Sequence, residues 1–360
     1  REVNAVFLAL PGWGSVRSGI IATSGSGELW LKGNGAYVDS YDSSVGPYAD
    51  SRSSNGIVEA AGDVTLSGNS DIEGDVRSGD VVEFASSTAS INGDVYWTTD
   101  FIDPWGGMTG TATQIDGVDT VGPIDGFVHL SMDIIQAEND NDATGGVIES
   151  DQLVIASKGS AELGAGSYYL EKIDLVGQEL TLDTTEGDVY IGVRDYMSLT
   201  PDGSTGAKIT VQGDGVVRIF VLGAATTTAS GSGLKGSERE VNLHVGQSSS
   251  VYVPDDRSPQ LRLYGTESLT VAIGGSESNL AAFTGVIYAP AGLTGPSRVY
   301  VKKADVYGQI VTANLTLGQD GKVHYDLALQ GVPLPRSNKF DRLEFMHVAV
   351  HRVDVSERDR

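Results

Sequence analysis

The apolar residues of this chain fall in short runs that end at glycine, asparagine or aspartate. Most runs hold four to seven residues and are rich in Val, Ile, Thr and Tyr, as at residues 216–221 and 306–311. Short runs of this kind, bounded by turn-forming residues, predict β-strands. Helical spacing of apolar residues is confined to residues 2–10 and 131–138. The pattern therefore predicts an all-β protein built from many short strands.

The tripeptide Gly-Asp-Val recurs along the chain, beginning at Gly62, Gly74, Gly93 and Gly187. The first three copies lie 12 and 19 residues apart, so the repeat is irregular. Glycine tolerates the positive φ that the corners of a coiled β-chain require, and the apolar residue after the corner points inward. The recurrence predicts a right-handed β-helix, that is, a β-solenoid. An immunoglobulin sandwich would show longer strands at regular spacing.

The distribution of strands and turns divides the chain into five parts. They are an N-terminal segment that caps the fold or joins subunits (1–27), a glycine-rich solenoid section (28–115), an acidic loop or linker (116–150), a second β-rich solenoid section (151–335), and a C-terminal strand and tail (336–360). In the second section, strand starts recur about every 20–25 residues, which is a solenoid period.

Composition narrows the classes of function. Glycine accounts for 47 of the 360 residues, roughly twice the usual share, which suits tight corners. The formal net charge of −24 repels phosphates, so we expect no nucleic-acid partner. There is no cysteine, which excludes disulfides and thiolate metal sites. No apolar run reaches the length of a membrane span.

One acidic segment partly matches a calcium-binding loop. Asp140, Asp142 and Thr144 alternate before Gly145, and Asp151 occupies the twelfth position counted from Asp140. Oxygen ligands at alternate positions around a glycine turn are what calcium requires. The segment departs from the signature at position twelve, where Asp replaces the usual Glu, and no clear helices flank it. Calcium is the one cofactor predicted, and a solvated acidic loop is the alternative.

The histidines give weaker indications. His347 and His351 stand four apart, but the valines around them predict a strand, on which they would lie ~13 Å apart, too far for one ion. His324 and Asp326 share one face of a predicted strand. Because no nucleophile motif of the Gly-x-Ser-x-Gly type accompanies them, a structural cluster is favoured and no catalytic residue is predicted. Four aromatic residues are candidates for stacking on sugars: Trp97, Trp105, Tyr168 and Tyr169.

Four phrases of the sequence carry a resemblance to known proteins: residues 35–43, 166–170, 283–290 and 323–329. In this order they resemble a group of prokaryotic exported proteins found with type IV pilus-assembly and Tad-type components. The Gly-Asp-Val coils are also similar to bactofilins, which polymerise through β-helices. The resemblance covers about residues 28–332 and implies a glycine-rich β-helical ectodomain outside the cell. The pilin-like N-terminal segment of that group is missing here, so pilus insertion is not implied, and neither are catalytic residues.

We therefore expect a non-enzymatic structural protein, extracellular or at the cell surface. It would be a subunit of a surface filament, a pilus-associated assembly or a surface layer. Its partners would be further copies in a homopolymer, or other pilus or surface components. The apolar segment 3–10 and the predicted strand 343–355 are the natural joining elements. The alternative is a carbohydrate-binding or carbohydrate-cleaving β-helix protein, since solenoids of this kind also host such activities.

Overall fold

A computed structural model of the protein describes residues 14–15, 18–23, 28–118, 121–122, 124–229, 239–276, 278–291 and 296–334. The predicted histidine pair, His347 and His351, lies outside these residues, as do segments 1–13 and 335–360. The described chain is almost entirely β-structure in long parallel sheets, which confirms the all-β, solenoid-type fold class.

The N-terminal strands are β1 (Gly14–Ser15), β2 (Ile20–Ala22), β3 (Leu29–Lys32), β4 (Tyr37–Tyr41), β5 (Val58–Ala60), β6 (Val64–Ser67), β7 (Asp71–Ile72), β8 (Val76–Ser78), β9 (Val81–Phe84), β10 (Ser90–Ile91), β11 (Val95–Trp97), β12 (Asp100–Ile102) and β13 (Ala112–Gln114). The short helix α1 (Tyr48–Ser51) follows β4. The helix α2 (Asp125–Ala137), a 3-10 turn (Asn141–Thr144) and the hairpin β14 (Ile148–Glu149) and β15 (Gln152–Leu153) then connect to the second section.

The C-terminal strands are β16 (Ser160–Leu163), β17 (Gly166–Leu170), β18 (Ile173–Val176), β19 (Glu179–Asp183), β20 (Val189–Val193), β21 (Met197–Thr200), β22 (Lys208–Gln212), β23 (Val217–Val221), β24 (Thr227–Thr228), β25 (Glu240–Val241), β26 (Leu243–Val245), β27 (Ser250–Tyr252), β28 (Leu261–Gly265), β29 (Thr270–Gly274), β30 (Ala281–Ala289), β31 (Arg298–Lys302), β32 (Ala304–Thr312), β33 (Asn314–Leu317), β34 (Gly321–Asp326) and β35 (Pro333–Leu334). Further 3-10 turns span Pro254–Asp256, Ser258–Gln260 and Leu327–Gly331.

Each coil of the solenoid passes three flat faces, which we call A, B and C. Face A runs β16-β19-β22-β27-β30-β32-β34-β4-β7-β10, and face C runs β18-β21-β26-β29-β31-β33-β3-β6-β9-β12. Face B runs β17-β20-β23-β28-β30-β32-β2-β5-β8-β11-β13. All pairings within these faces are parallel. The nine-residue strands β30 and β32 cross the corner between faces A and B.

The order of strands on every face shows an unusual path of the chain. The described chain enters near the middle of the solenoid at β2 and winds to one end at β12 and β13. It then returns through the connecting segment 116–158 to the opposite end, re-enters at β16, and winds back until β34 lies beside β4. The described residues of the two sections, 28–115 and 151–334, thus build one continuous solenoid around one core. One coil is composite, because its strands come from both sections of the chain. The second section supplies β34 on face A, and the N-terminal part of the chain supplies β2 on face B and β3 on face C.

The Gly-Asp-Val repeats lie at corners of the solenoid. Three of them turn from face A to face B, and their valines begin β8, β11 and β20. The first repeat turns into face C, where its valine begins β6. Gly74 and Gly187 adopt φ values of 149° and 147°, which side chains rarely tolerate. All four valines are fully buried.

The aspartates of the same repeats tie each coil to the next one. Each carboxylate accepts a hydrogen bond from a backbone N–H one coil further on: Asp63 from Val81 (3.2 Å), Asp75 from Asp94 (2.9 Å), Asp94 from Thr111 (2.7 Å) and Asp188 from Val216 (2.8 Å). Corner N–H groups do not all have a ladder partner, so these carboxylates satisfy donors that would otherwise lose their hydrogen bonds.

Helix α2 covers the outer surface of face B. Its buried residues are Phe127, Val128, Met132 and Ile135, which helical spacing places on one side. The ring of Phe127 lies 5.7 Å from that of Phe220 and 5.4 Å from that of Tyr264. The helical spacing at residues 131–138 therefore marks a real helix, which begins earlier, at Asp125. The segment predicted as a loop or linker instead forms part of the packing.

His244, on β26, provides a pH dependence of stability. The side chain is fully buried, and neither ring nitrogen has a hydrogen-bond partner among the described residues. Burial lowers its pKa from 6.5 to about 4. Between pH 6.5 and about pH 4, His244 is therefore protonated in the unfolded chain but not in the folded chain. The contribution of the neutral side chain to the unfolding free energy is complete above pH 6.5 and is lost as the pH falls.

Between pH 7 and pH 4, we expect the unfolding free energy of wild type to fall by about 3 kcal/mol more than that of a His244→Leu variant. Urea unfolding of both proteins between pH 7 and pH 4 measures this difference. A difference between the two proteins that stays constant over that range would show that His244 is not the titrating group.

Candidate functional sites

A cluster of polar and aromatic residues lies on face A where the two sections of the chain meet. Strands β32, β34 and β4 are neighbours there, in a register that aligns Asp305, Lys322 and Tyr37 in one row. Two positions further along, on the same side of the sheet, a second row holds Tyr307, His324 and Asp39. The phrases 35–43 and 323–329, far apart in sequence, are thus adjacent strands.

His324 stands at the centre of this cluster and is 2% exposed. Its Nδ1 lies 2.6 Å from Oδ1 of Asp39, and its Nε2 lies 3.5 Å from Oδ1 of Asp305. The imidazole is stacked on the ring of Tyr307 at 4.9 Å, and the ring of Tyr48 lies 4.1 Å away on a tilted plane. The imidazole is therefore held between two carboxylates and two aromatic rings.

Asp39 is fully buried, and its second oxygen has partners of its own. Oδ2 accepts a hydrogen bond from the Tyr48 hydroxyl at 2.8 Å and forms an ion pair with Nε of Arg52 at 2.7 Å. Arg52 also donates to the Tyr37 hydroxyl. Tyr48 and Arg52 come from the loop with α1 that follows β4. This loop thus supplies the groups that compensate the burial of Asp39.

The surroundings set the protonation of these groups. Burial opposes the protonation of His324, but the carboxylates of Asp305 and Asp39 outweigh it and raise the pKa. Burial, together with a nearby carboxylate, raises the pKa of the Tyr48 and Tyr307 hydroxyls far above neutral pH. Burial acts to raise the pKa of Asp305, yet His324 and Lys322 lower it. The cluster therefore combines an imidazole whose protonation is favoured by its carboxylate partners, neutral phenols, and a carboxylate whose ionised form is favoured by its cationic neighbours.

Asp326 belongs to a separate group of contacts. Its carboxylate accepts hydrogen bonds from the hydroxyls of Ser43 at 2.6 Å and Ser258 at 2.7 Å, and from the backbone N–H of Ala328. His324 and Asp326 lie on the same side of β34 but contact different partners. Sequence reasoning found His324 and missed Asp39, because 285 residues separate these two side chains.

The cluster opens into a cavity of about 300 Å³. Its walls come from the three strands and the α1 loop: Tyr37, Tyr48, Arg52, Asp305, Tyr307, Lys322 and His324. Aromatic faces, two cationic side chains and hydroxyl groups converge in one concave site, which can offer a ligand both ring surface and charge-assisted hydrogen bonds.

The predicted calcium ligands lie in the connecting segment, at the end of the solenoid formed by β16, β17 and β18. Asp140 accepts a hydrogen bond from the backbone of Ser167, and Asp151 accepts one from the amide of Asn141. The Thr144 hydroxyl donates to the Asn141 carbonyl, and Asp142 is exposed. No group of three or more His, Cys, Asp or Glu in the described residues is placed to hold a metal ion. The calcium site stays a prediction.

The four candidate sugar-stacking aromatics do not form one surface. Trp97 stacks on Phe101 at 5.1 Å, at the end of the core, while Tyr168 and Tyr169 are buried on β17. Trp105 is the one that is well exposed, at 51%. The aromatic residues of the cavity are a different set, brought together by register rather than by sequence proximity.

The two ends of the solenoid differ. The end at β16–β18 is covered by the hairpin β14–β15, whose Ile148 is buried against the core. At the other end, β12 and β13 each pair on one side only within the described chain, and all three residues of β13 are exposed. We call this second end the open end. It also carries the exposed side chains of Ile102 and Trp105.

Comparison with known proteins adds one match. Among the described residues, no helix is both long enough and apolar enough to cross a membrane. No curated protein and no solved structure matches the chain. A family described as a domain of unknown function, DUF7305, matches residues 107–332, from the last coil at the open end to the turn after β34. Since this match covers more than half of the 360 residues, the chain belongs to the DUF7305 family.

Proposed function

We propose that the chain is a non-enzymatic structural protein of an extracellular or cell-surface assembly, such as a filament, a pilus-associated assembly or a surface layer. In this proposal the open end receives a β-strand from a second copy of the chain. The observation that carries the proposal is the contrast between the covered end and the open end. An unpaired strand edge is a template for pairing with another chain. The resemblance to exported pilus-associated proteins supports the location.

The edge of β13 has a definite hydrogen-bonding pattern. Val95 N–H donates to the Thr111 carbonyl, and Ile115 N–H donates to the Trp97 carbonyl. Because alternate residues of a strand face the same neighbour, the N–H groups of Ala112 and Gln114 point away from β11. These outward donors are the ones that an added strand would use.

The C-terminal segment is the element best suited to occupy this edge. The described chain ends at Leu334, near the middle of the solenoid, where β35 pairs with β1. Residues 343–355 carry the predicted strand pattern. Residues 336–360 hold six Lys and Arg against five Asp and Glu, whereas the whole chain carries −24. The acidic open end, which carries Asp100 and Asp103, therefore repels this segment less than it repels the chain as a whole.

We expect Ala112→Pro to abolish assembly, because proline removes the outward N–H without breaking the bonds to β11. Ala112→Val keeps that N–H and serves as the matched control. Light scattering after gel filtration and electron microscopy measure the outcome. Wild type and Ala112→Val should form concentration-dependent polymers, while Ala112→Pro and a deletion of residues 336–360 should remain monomeric.

Three results would contradict this proposal. Wild type that stays monomeric at high concentration would mean that the open end is covered within one chain or used otherwise. Polymers of Ala112→Pro equal to wild type would exclude the β13 edge. Loss of assembly on deleting residues 1–12, with the 336–360 deletion unaffected, would assign the joining role to the N-terminal segment instead.

A further inference from the structure

We propose that the cavity on face A binds a carboxylated saccharide, such as a uronic acid unit of an acidic polysaccharide. The cavity lies at the junction of the two sections, and on face A its strand β4 is two strands from β10, the last strand before the open end. The inference therefore adds a ligand to the assembly role and does not depend on it.

The charge of the cavity favours an anionic ligand. Arg52 and Lys322 form its exposed rim, with 56% and 38% of their side chains accessible. Asp39 and Asp305 lie deeper, with 0% and 17% of their side chains accessible, beside the buried imidazole of His324. The rim of the cavity is thus cationic in a chain whose net charge is −24. An anion is repelled by most of this surface and attracted here.

Arg52 has donors left for such an anion. Its Nε is paired with Asp39, and its Nη2 donates to the Tyr37 hydroxyl. A guanidinium has five N–H donors, so these two contacts leave others facing solvent. The Lys322 ammonium, 3.4 Å from Asp305, also has three donors. A carboxylate between the two side chains would form charge-assisted hydrogen bonds with both.

The uncharged part of the lining suits a sugar ring. Tyr37, Tyr48 and Tyr307 provide aromatic surface and hydroxyl groups within one small space. Amphipathic rings of this kind contact the apolar side of a sugar and hydrogen-bond its hydroxyls. The volume of about 300 Å³ is at the low end of ligand sites, which fits a short saccharide. Inorganic phosphate would use the cations but would leave the tyrosines without a role.

The geometry of the cluster favours binding over cleavage. β-Elimination from a uronic acid needs an accessible base, yet His324 is buried with both ring nitrogens facing carboxylates, and burial raises the pKa of the Tyr48 and Tyr307 hydroxyls. Hydrolysis needs two accessible carboxyl groups. Asp39 is fully buried and already bonded to His324, Arg52 and Tyr48, so Asp305 stands alone.

Isothermal titration calorimetry tests the inference on the full chain. The probes are oligomers of galacturonate, mannuronate and glucuronate, methyl-esterified oligogalacturonate and inorganic phosphate. Lys322→Gln is the test variant. Lys208→Gln is the matched control, because Lys208 is a lysine on the same face that lies 5.1 Å over the ring of Tyr252, away from the cavity. Thermal melts verify that both variants fold.

We expect at least one uronate oligomer to bind, about tenfold more weakly to Lys322→Gln, and unchanged to Lys208→Gln. The methyl ester, which lacks the charge but keeps the ring, should bind far more weakly. The inference is overturned by an absence of binding to all three oligomers, by equal binding of the ester or of phosphate, or by equal loss in the two variants. None of these outcomes bears on assembly, which the Ala112→Pro experiment tests separately.

Discussion

Replacing Asp39 with alanine should lower the free energy of unfolding by about 3–5 kcal/mol. The substitution removes a fully buried carboxylate from between His324 and Arg52. His324 then keeps Asp305 as its one carboxylate neighbour among the contacts described above, and the Tyr48 hydroxyl loses its acceptor. Removal of one partner from a buried charged cluster leaves the others without compensation, which is why the expected effect is large.

Chemical denaturation of Asp39→Ala, His324→Gln and the double variant measures this effect as a double-mutant cycle. We expect the double variant to be less destabilised than the sum of the single variants, since the two groups compensate each other. A loss below 1 kcal/mol for Asp39→Ala, or strict additivity, would mean that the cluster does not hold the N-terminal section against β34.

Gly308→Ala should be at least as damaging, with an expected loss of about 4 kcal/mol or more. Gly308 lies in the middle of β32, where the strand turns the corner from face A to face B, and its φ is 137°. A Cβ there would lie 2.0 Å from the carbonyl oxygen of Gly285, on the neighbouring strand β30. The residue would therefore be strained in its backbone and would also clash with backbone atoms that have no room to move.

Gly331→Ala is the matched control for this substitution. A Cβ at Gly331 would meet no atom within 4 Å. We expect that variant to stay within about 0.5 kcal/mol of wild type in the same urea unfolding experiment. A Gly308→Ala protein as stable as the control would contradict the bent path of β32, and with it the joining of faces A and B.

The local structure of the chain could be predicted because its causes are local. The Gly-Asp-Val repeats set corners through the φ of Gly74 and Gly187, and their valines point into the core. Short apolar runs that end at glycine, asparagine or aspartate marked most strands. In each case the decisive residues lie within a few positions of one another, so the pattern is visible in the sequence.

The order of the coils could not be predicted because parallel pairing leaves no mark on the sequence. Nothing near Tyr37 or Lys322 indicates that they are neighbours, yet they align in register. The buried outer surface of face B was equally hidden. Phe220 and Tyr264 are buried on that outer surface because α2 packs on them, and the apolar runs that contain them do not indicate this partner.

The candidate site follows the same rule. His324 and Asp326 were found because they are two residues apart on one strand. Asp39, Arg52 and Tyr48 were missed because they arrive from the other section of the chain. A charged, aromatic cluster at the junction depends on the composite coil, so it became visible only with the fold.

The two sections form one solenoid in which β3 lies beside β33, and cysteine cross-linking tests this arrangement most directly. The chain has no cysteine, so an introduced pair reports without interference. Trp30 and Thr316 are register partners on face C, and their spacing as neighbouring strand residues suits a disulfide. We predict that the pair Trp30→Cys and Thr316→Cys forms an intramolecular disulfide on mild oxidation, with a shift on a non-reducing gel. Thr113 on β13 and Ser167 on β17 both lie on face B, on the end strands that would meet if the sections stacked in chain order. The pair Thr113→Cys and Ser167→Cys would be close only in that arrangement, and it should not cross-link. Cross-linking of the second pair and not of the first would contradict the account.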